Sequence, residues 1–254
     1  IGLVLVVAIG IPYFSIIASS LIKLRGYGLA AGNFTLEHYA ELFTTAKSLN
    51  AIGNSLLLAV SSACICSVLG TLVVLAVRRG KGRFGKIVEG VSMLPEMLPA
   101  IVLVIGIMLF WNAIYRVIPL YNTLGIMVLA YVVLYLPYTV QYVTSAFTQI
   151  NDSLLQAGRT FGGSPFYVFR RVTLPMISRG ILAGWMMIFI IAFRELVTAS
   201  LIAPPNVLVV STYINREFEQ GSVSLGMAMA VLCVLITTTA LLIMNTVTER
   251  KKEK

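Results

Sequence analysis

The sequence predicts an all-α polytopic membrane protein: six transmembrane helices, with a helical loop on the cytoplasmic side between the fourth and the fifth. Three observations predict it. Hydrophobic residues fill 58% of the 254 positions and charged ones 11%, against the ~25% charge of a soluble domain. That excludes an ordinary cytosolic enzyme, a disordered regulator and a free nucleic-acid binder. Six apolar runs reach the ~20 residues that a helix needs to cross hydrocarbon. Positive charge is unevenly shared among the loops between them, which sets the sidedness.

The first run, 1–22, opens on Ile1. No basic stretch precedes it and no small-residue cleavage site closes it, so it reads as a span and not as a signal peptide. An apolar start without Met fits a piece of something longer. The second and third runs, 51–77 and 91–111, flank a basic turn. The fourth, 123–146, carries Pro137; the fifth and sixth are 181–203 and 223–247. All are apolar all round and lack barrel-strand alternation, so helices satisfy their backbones in lipid. The chain, 1–254, is one transmembrane domain.

Arg78, Arg79, Lys81, Arg83 and Lys86 lie between runs two and three. Arg159, Arg170, Arg171 and Arg179 lie between four and five, and Arg250, Lys251, Lys252 and Lys254 follow six. These thirteen oppose only Lys23, Arg25, Lys47, Arg116 and Arg216, which places both ends of the segment in the cytoplasm. Trp111, Tyr115 and Tyr121 then mark the outer interface. The net charge of +9 is thereby assigned to anchoring in the lipid bilayer, with no nucleic acid as partner.

Several motifs lead nowhere. Cys64, Cys66 and Cys233 sit inside apolar runs and read as small buried hydrophobes. The single histidine, His38, falls in a polar loop, which leaves no material for a His-based zinc site or a catalytic triad. Gly80-Lys81-Gly82-Arg83-Phe84-Gly85 imitates a dinucleotide fingerprint, and the same stretch nearly imitates a phosphate loop, with Ile87 where Ser or Thr must stand. A membrane span precedes it in place of a β-strand, so the glycines read as a tight turn. No catalytic residue and no nucleotide site of its own is expected, and no metal ligands are readable.

The loop of about 148–180 is too long for a simple connection. Asp152 or Ser153 is placed to cap a short helix running to about Phe161, and Gly162-Gly163 break it. Ser164 caps a second helix with Pro165 at its first position, and Leu174-Pro175 is expected to end it. Small residues at 157, 158, 162 and 163 permit close approach of another surface. The bland alternative is a helical hairpin lying on headgroups.

Gln156-Ala157-Gly158, Gly162, Val172 and Leu174-Pro175 stand at the spacing of a known signature, and on these residues the chain resembles the permeases of ATP-binding-cassette (ABC) importers. Gln156 replaces the usual Glu, Gly158 the second Ala, and Arg179 a frequent Pro. The stretches Phe34–Tyr39, Asn54–Leu56 and Leu94–Pro99 are similar to the family's too. Arg194-Glu195-Leu196, Ser200-Leu201 and Pro204-Pro205 look most like its ferric-iron branch, often two halves fused in one polypeptide, of which this chain resembles the C-terminal half. The resemblance implies a permease subunit, not itself an enzyme, in a bacterial cytoplasmic (inner) membrane. It implies ATPase subunits that grip the loop at Gln156, Ala157, Gly158, Gly162, Gly163, Val172, Leu174 and Pro175. ATP is used by that partner, with no cofactor bound by this chain. A second permease half, fused or separate, and an extracytoplasmic solute-binding protein complete the set. Ferric iron is the implied cargo; phosphonate, polyamine, sulfate and thiamine permeases share the loop.

Charges at bilayer depth cost about 2.5–3.5 kcal/mol each and mark function or partnering. Arg194 and Glu195 fall well inside the fifth run, and Glu96 lies between Pro95 and Pro99. Tyr131, Tyr135, Tyr138 and Tyr142 recur at steps that align them on one face of the fourth span. They read as lining of a pathway or gate, or as a structural bridge and aromatic packing. An ion-coupled secondary carrier using Arg194, Glu195 and Glu96 as a relay is the alternative reading.

Overall fold

The computed structural model describes residues 2–80, 83–160 and 162–250. Ile1, Lys81-Gly82, Phe161 and the basic tail Lys251, Lys252 and Lys254 lie outside them. The described chain is helical apart from loops and one isolated bridge, Ile22 to Phe34. The elements are α1 (Gly2–Leu21, through a π-turn at Val6–Gly10), α2 (Glu37–Thr44), α3 (Ala46–Arg79), α4 (Arg83–Met97), α5 (Ala100–Ala113) and α6 (Leu124–Thr148). They continue with α7 (Asp152–Thr160), α8 (Pro165–Phe193), α9 (Val197–Ile202), α10 (Val210–Gln220) and α11 (Val223–Arg250). Five of them, α1, α3, α6, α8 and α11, are long and apolar enough to cross a bilayer; the bent pair α4–α5 makes a sixth if it is one span.

The core is a bundle of α3, α6 and α8, with α11 beside it, α1 on α11, and α4 along α3 and α6. Hydrophobicity does not distinguish one helix side from another in lipid, so small residues decide where backbones meet. A Cβ on Gly180 would stand 2.7 Å from the Tyr142 carbonyl oxygen and 2.6 Å from the Ala146 Cβ; one on Gly70 would stand 2.8 Å from the Thr139 Cβ, and one on Gly184 3.1 Å from the Thr139 Cα. Thr139 is therefore gripped from both sides, and its buried hydroxyl finds no hydrogen-bond partner among the described residues. A buried unsatisfied hydroxyl costs about 1–3 kcal/mol. Thr139→Val, of equal shape, is expected to raise the thermal-inactivation midpoint of the detergent-solubilised protein; a lowered midpoint would mean that the hydroxyl has a partner in the bilayer.

Two predicted elements change shape. The run 91–111 does not form one rod. Pro95 and Pro99 remove two backbone donors, and the helix axes on either side differ by 106°. Leu174-Pro175 does not end a helix either. The chain runs helical from Pro165 to Phe193, because the π-turn at Phe169–Thr173 shifts the bonding pattern, the Leu174 N–H donating to the Phe169 carbonyl. The wider turn accommodates the proline ring. The fifth helix thus begins sixteen residues before 181 and stops at Phe193, which puts Arg194 and Glu195 in the break between α8 and α9 and not inside a continuous helix.

Smaller corrections follow the same logic. Cys66 and Cys233 are buried, but Cys64 is exposed and accepts a hydrogen bond from the Trp185 indole at 3.2 Å. His38 belongs to α2 rather than a loop, its Nε2 lying 3.1 Å from the Ile22 carbonyl. Gly85 sits where a Cβ would meet the Val77 and Gly80 carbonyl oxygens at 2.9 Å, so glycine lets α4 fold back on α3.

Candidate functional site

Three polar assemblies interrupt the apolar body. The first is the elbow between α7 and α8. Asn151, not Asp152 or Ser153, caps α7: its Oδ1 accepts the Ser153 N–H at 3.1 Å. The corner closes when the Gly163 N–H donates to the Gly158 carbonyl at 3.1 Å, which requires Gly162 at φ +82°, a region glycine adopts freely. Ser164 then caps α8, its hydroxyl accepting the Tyr167 N–H at 3.2 Å, with Pro165 at the first position. A Cβ on Gly163 would lie 2.6 Å from the Gly158 carbonyl oxygen, and one on Gly158 would lie 3.2 Å from Val168. Gly158 and Gly163 are therefore small to fit each other and Val168, inside the chain. Open surface is offered instead by Ser153, Leu154 and Gln156. Ala157 is on the same helix. Val172 falls in the π-turn of α8, with Leu174 and Pro175 directly after it.

Beside the elbow, a cleft of about 650 Å³ opens between the end of α6 and the first half of α8. It is lined by Tyr142, Ser145, Ala146, Gln149 and Ile150 on one wall and Pro175, Met176, Arg179 and Gly180 on the other. Tyr142 is thus the exposed end of the tyrosine row. Tyr131 and Tyr135 are buried with ring centroids 5.8 Å apart, and Tyr138 stands 6.3 Å from Tyr135 and half-buried. The row packs at the end near Glu195 and opens at the end near the elbow.

The second assembly is the cap formed by residues 194–221, at the end of the bundle away from the elbow. Glu195 is not paired with Arg194. Its carboxylate accepts the Thr198 N–H at 2.9 Å and the Ala199 N–H at 3.2 Å, capping α9, close to the hydroxyls of Tyr131 and Tyr135. The Ser211 hydroxyl donates to the Glu195 carbonyl. Arg194 is exposed, near Cys233 of α11. The cap is fastened to α3 at three points: the Asn54 amide donates to the Leu208 carbonyl at 2.9 Å, the Ser55 hydroxyl accepts the Val210 N–H at 2.8 Å, and the Lys47 ammonium meets the buried Glu217 carboxylate at 2.7 Å. Lys47 also lies over the Tyr213 ring, 5.1 Å from its centre. Burial, with the Glu217 and Glu41 carboxylates adding, pushes the Tyr213 hydroxyl up to about 12, so the phenol stays neutral at any physiological pH. Asn54, Ser55, Lys47 and Glu217 were not expected from the sequence. A polar pair inside an apolar run, and two opposite charges just outside spans, are the signals that point to them.

The third assembly lies at the break between α4 and α5. Gln141 of α6 donates to the Glu96 carboxylate, with the Met93 sulfur 3.8 Å from the same nitrogen. Both Glu96 and Gln141 are exposed. Among the described residues no three His, Cys, Asp or Glu side chains gather as a metal site.

Residues 67–254 match the family of binding-protein-dependent transport system inner membrane components. The spermidine/putrescine transport system permease protein PotC of Haemophilus influenzae is 24% identical over 241 residues, 95% of this chain and 91% of the relative. The Fe(3+)-transport system permease protein FbpB 2 of the same organism is 28% identical over 148 residues, 58% of this chain but 29% of that protein. Among solved structures, a bacterial ABC transporter for the import of alginate superposes with TM-score 0.79 at 16% identity, over 97% of this chain and 91% of that one. The MetNI methionine ABC transporter superposes with TM-score 0.66 at 17% identity, over 80% and 94%.

Proposed function

The chain belongs to the binding-protein-dependent transport system inner membrane components, the permeases of ABC importers, and on that premise we propose that it forms one half of a solute pathway driven from outside by ATPase subunits. The observation that carries the reading is the elbow. An exposed helix of nine residues is fixed by a two-glycine corner to the helix that becomes a span, so force applied to α7 is delivered into the membrane body. The ATPase binds and hydrolyses ATP; this chain supplies the surface it grips, chiefly Ser153, Leu154 and Gln156. Differential binding of ATP by two states of the assembly does the work. A second permease half covers the exposed faces of α4 and α5, and an extracytoplasmic binding protein meets the outer cap. Basic loops on the elbow side support a cytoplasmic elbow and cytoplasmic ends for the segment.

For cargo, the two kinds of relative share a chemistry, since both names denote cations. The ferric-iron resemblance of Arg194–Leu201 and Pro204-Pro205 competes with the polyamine relatives, one of which aligns over 91% of its length. We therefore place an organic polyamine first and ferric iron second. The direct experiment measures uptake of radiolabelled putrescine, spermidine and ferric ion in cells carrying the chain with its ATPase and binding protein, with and without Leu154→Asp. We expect polyamine uptake, and loss of both uptake and ATPase co-purification in Leu154→Asp with the permease still in the membrane. Uptake by the chain alone in liposomes under a proton or sodium gradient would instead establish the secondary carrier.

A further inference from the structure

Glu96 stands at the broken corner of α4, ten residues or about 15 Å along the helix from Lys86, the last basic residue before the corner. Its partner Gln141 lies seven residues, about 10 Å, inside the elbow-side end of α6. The pair is therefore within hydrocarbon depth, and it is exposed. An ionised carboxylate there requires water or a cation. No lysine, arginine or histidine of this chain forms a described ion pair with Glu96. Gln141 also points one way only: its amide N–H donates to Glu96, which leaves its carbonyl oxygen as a second acceptor beside the carboxylate. One α-helical turn toward the elbow on the same side of α6 comes Ser145, then Gln149, and both line the cleft with Tyr142. Acceptors thus continue from the corner to the inner mouth.

From this geometry we propose that Glu96 and Gln141 form the station at which a transported ammonium group is held between the break in α4–α5 and the inner cleft. The carboxylate balances the charge, and the amide both orients it and supplies the second acceptor. The Met93 thioether packs against the amide and keeps it turned toward the acid. The inference rests on the permease reading with a polyamine cargo. It adds which residues of this chain meet that cargo within the spans.

The test compares wild type, Glu96→Gln, Glu96→Asp and Gln141→Leu in cells carrying the complete transporter, with radiolabelled putrescine and spermidine as probes. Losing a charge-assisted contact is expected to raise the KM for uptake about 10-fold or more in Glu96→Gln. Glu96→Asp should recover part of that, and Gln141→Leu should give an intermediate rise. Membrane level and co-purified ATPase should stay at wild type in all three. If wild type takes up neither polyamine, the proposed cargo fails. If wild type takes them up and Glu96→Gln does so with unchanged KM, the station fails while the permease reading stands. Loss of assembly in Glu96→Gln also overturns the station, because Glu96 would then be pairing with the other permease half.

Discussion

Lys47→Met is expected to lower the thermal-inactivation midpoint of the purified transporter more than any other single change to the 194–221 cap. Glu217 is buried, its carboxylate touching Lys47 at 2.7 Å and accepting the Ser222 N–H at 3.3 Å, and folded back against Gly221. Removing the ammonium leaves that carboxylate uncompensated, which costs about 3–5 kcal/mol when both partners are buried. Lys47 keeps 38% of its side chain exposed, so water repairs part of the loss, and roughly 2 kcal/mol is the expected size. The double variant Lys47→Met with Glu217→Met removes the stranded charge and should recover most of the midpoint. A midpoint unchanged in the single variant would show that the pair does not hold the cap.

Gly163→Val is expected to bring uptake to background while the chain still inserts. The new Cβ would meet the Gly158 carbonyl oxygen at 2.6 Å, a backbone contact with nowhere to go. Overpacking of this kind costs about 1–3 kcal/mol or more, and the cheapest relief opens the corner that holds α7. Gly162→Ala makes the contrast. Its position at φ +82° has open space, so only backbone strain opposes the change, about 1–2 kcal/mol, and uptake should fall by less. Assays of uptake, membrane level and ATPase co-purification on both variants separate the two cases. Full uptake in Gly163→Val would mean that the corner can unfold without consequence.

The sequence read the membrane body well because bilayer thickness leaves few choices for an apolar run. The runs at 51–77, 123–146 and 223–247 all became long helices. Ser164 and Pro165 were legible as a helix start because the capping chemistry is local. Misreadings arose where two local rules compete. Pro175 signals a stop in an α-helix, but a π-turn four residues earlier absorbs it, and nothing in the residues 169–173 announces that turn. Pro95 and Pro99 were recognised as breakers, yet the 106° angle depends on what α5 packs against, chiefly α9. Small residues at the elbow were read as room for a partner. They serve the chain's own corner first, a distinction that needs Val168 in place. Glu195 was legible as important but not as a cap, since the helix it caps begins only because α8 stops at Phe193.

The unbroken run from Pro165 to Phe193 also has a mechanical meaning. The close approach to α6 at Gly180 lies fifteen residues from the elbow end and thirteen from the Phe193 end, or about 22 Å and 20 Å. Both tips therefore belong to one helical element, which joins the elbow to Phe193 and the Glu195 shoulder without a break.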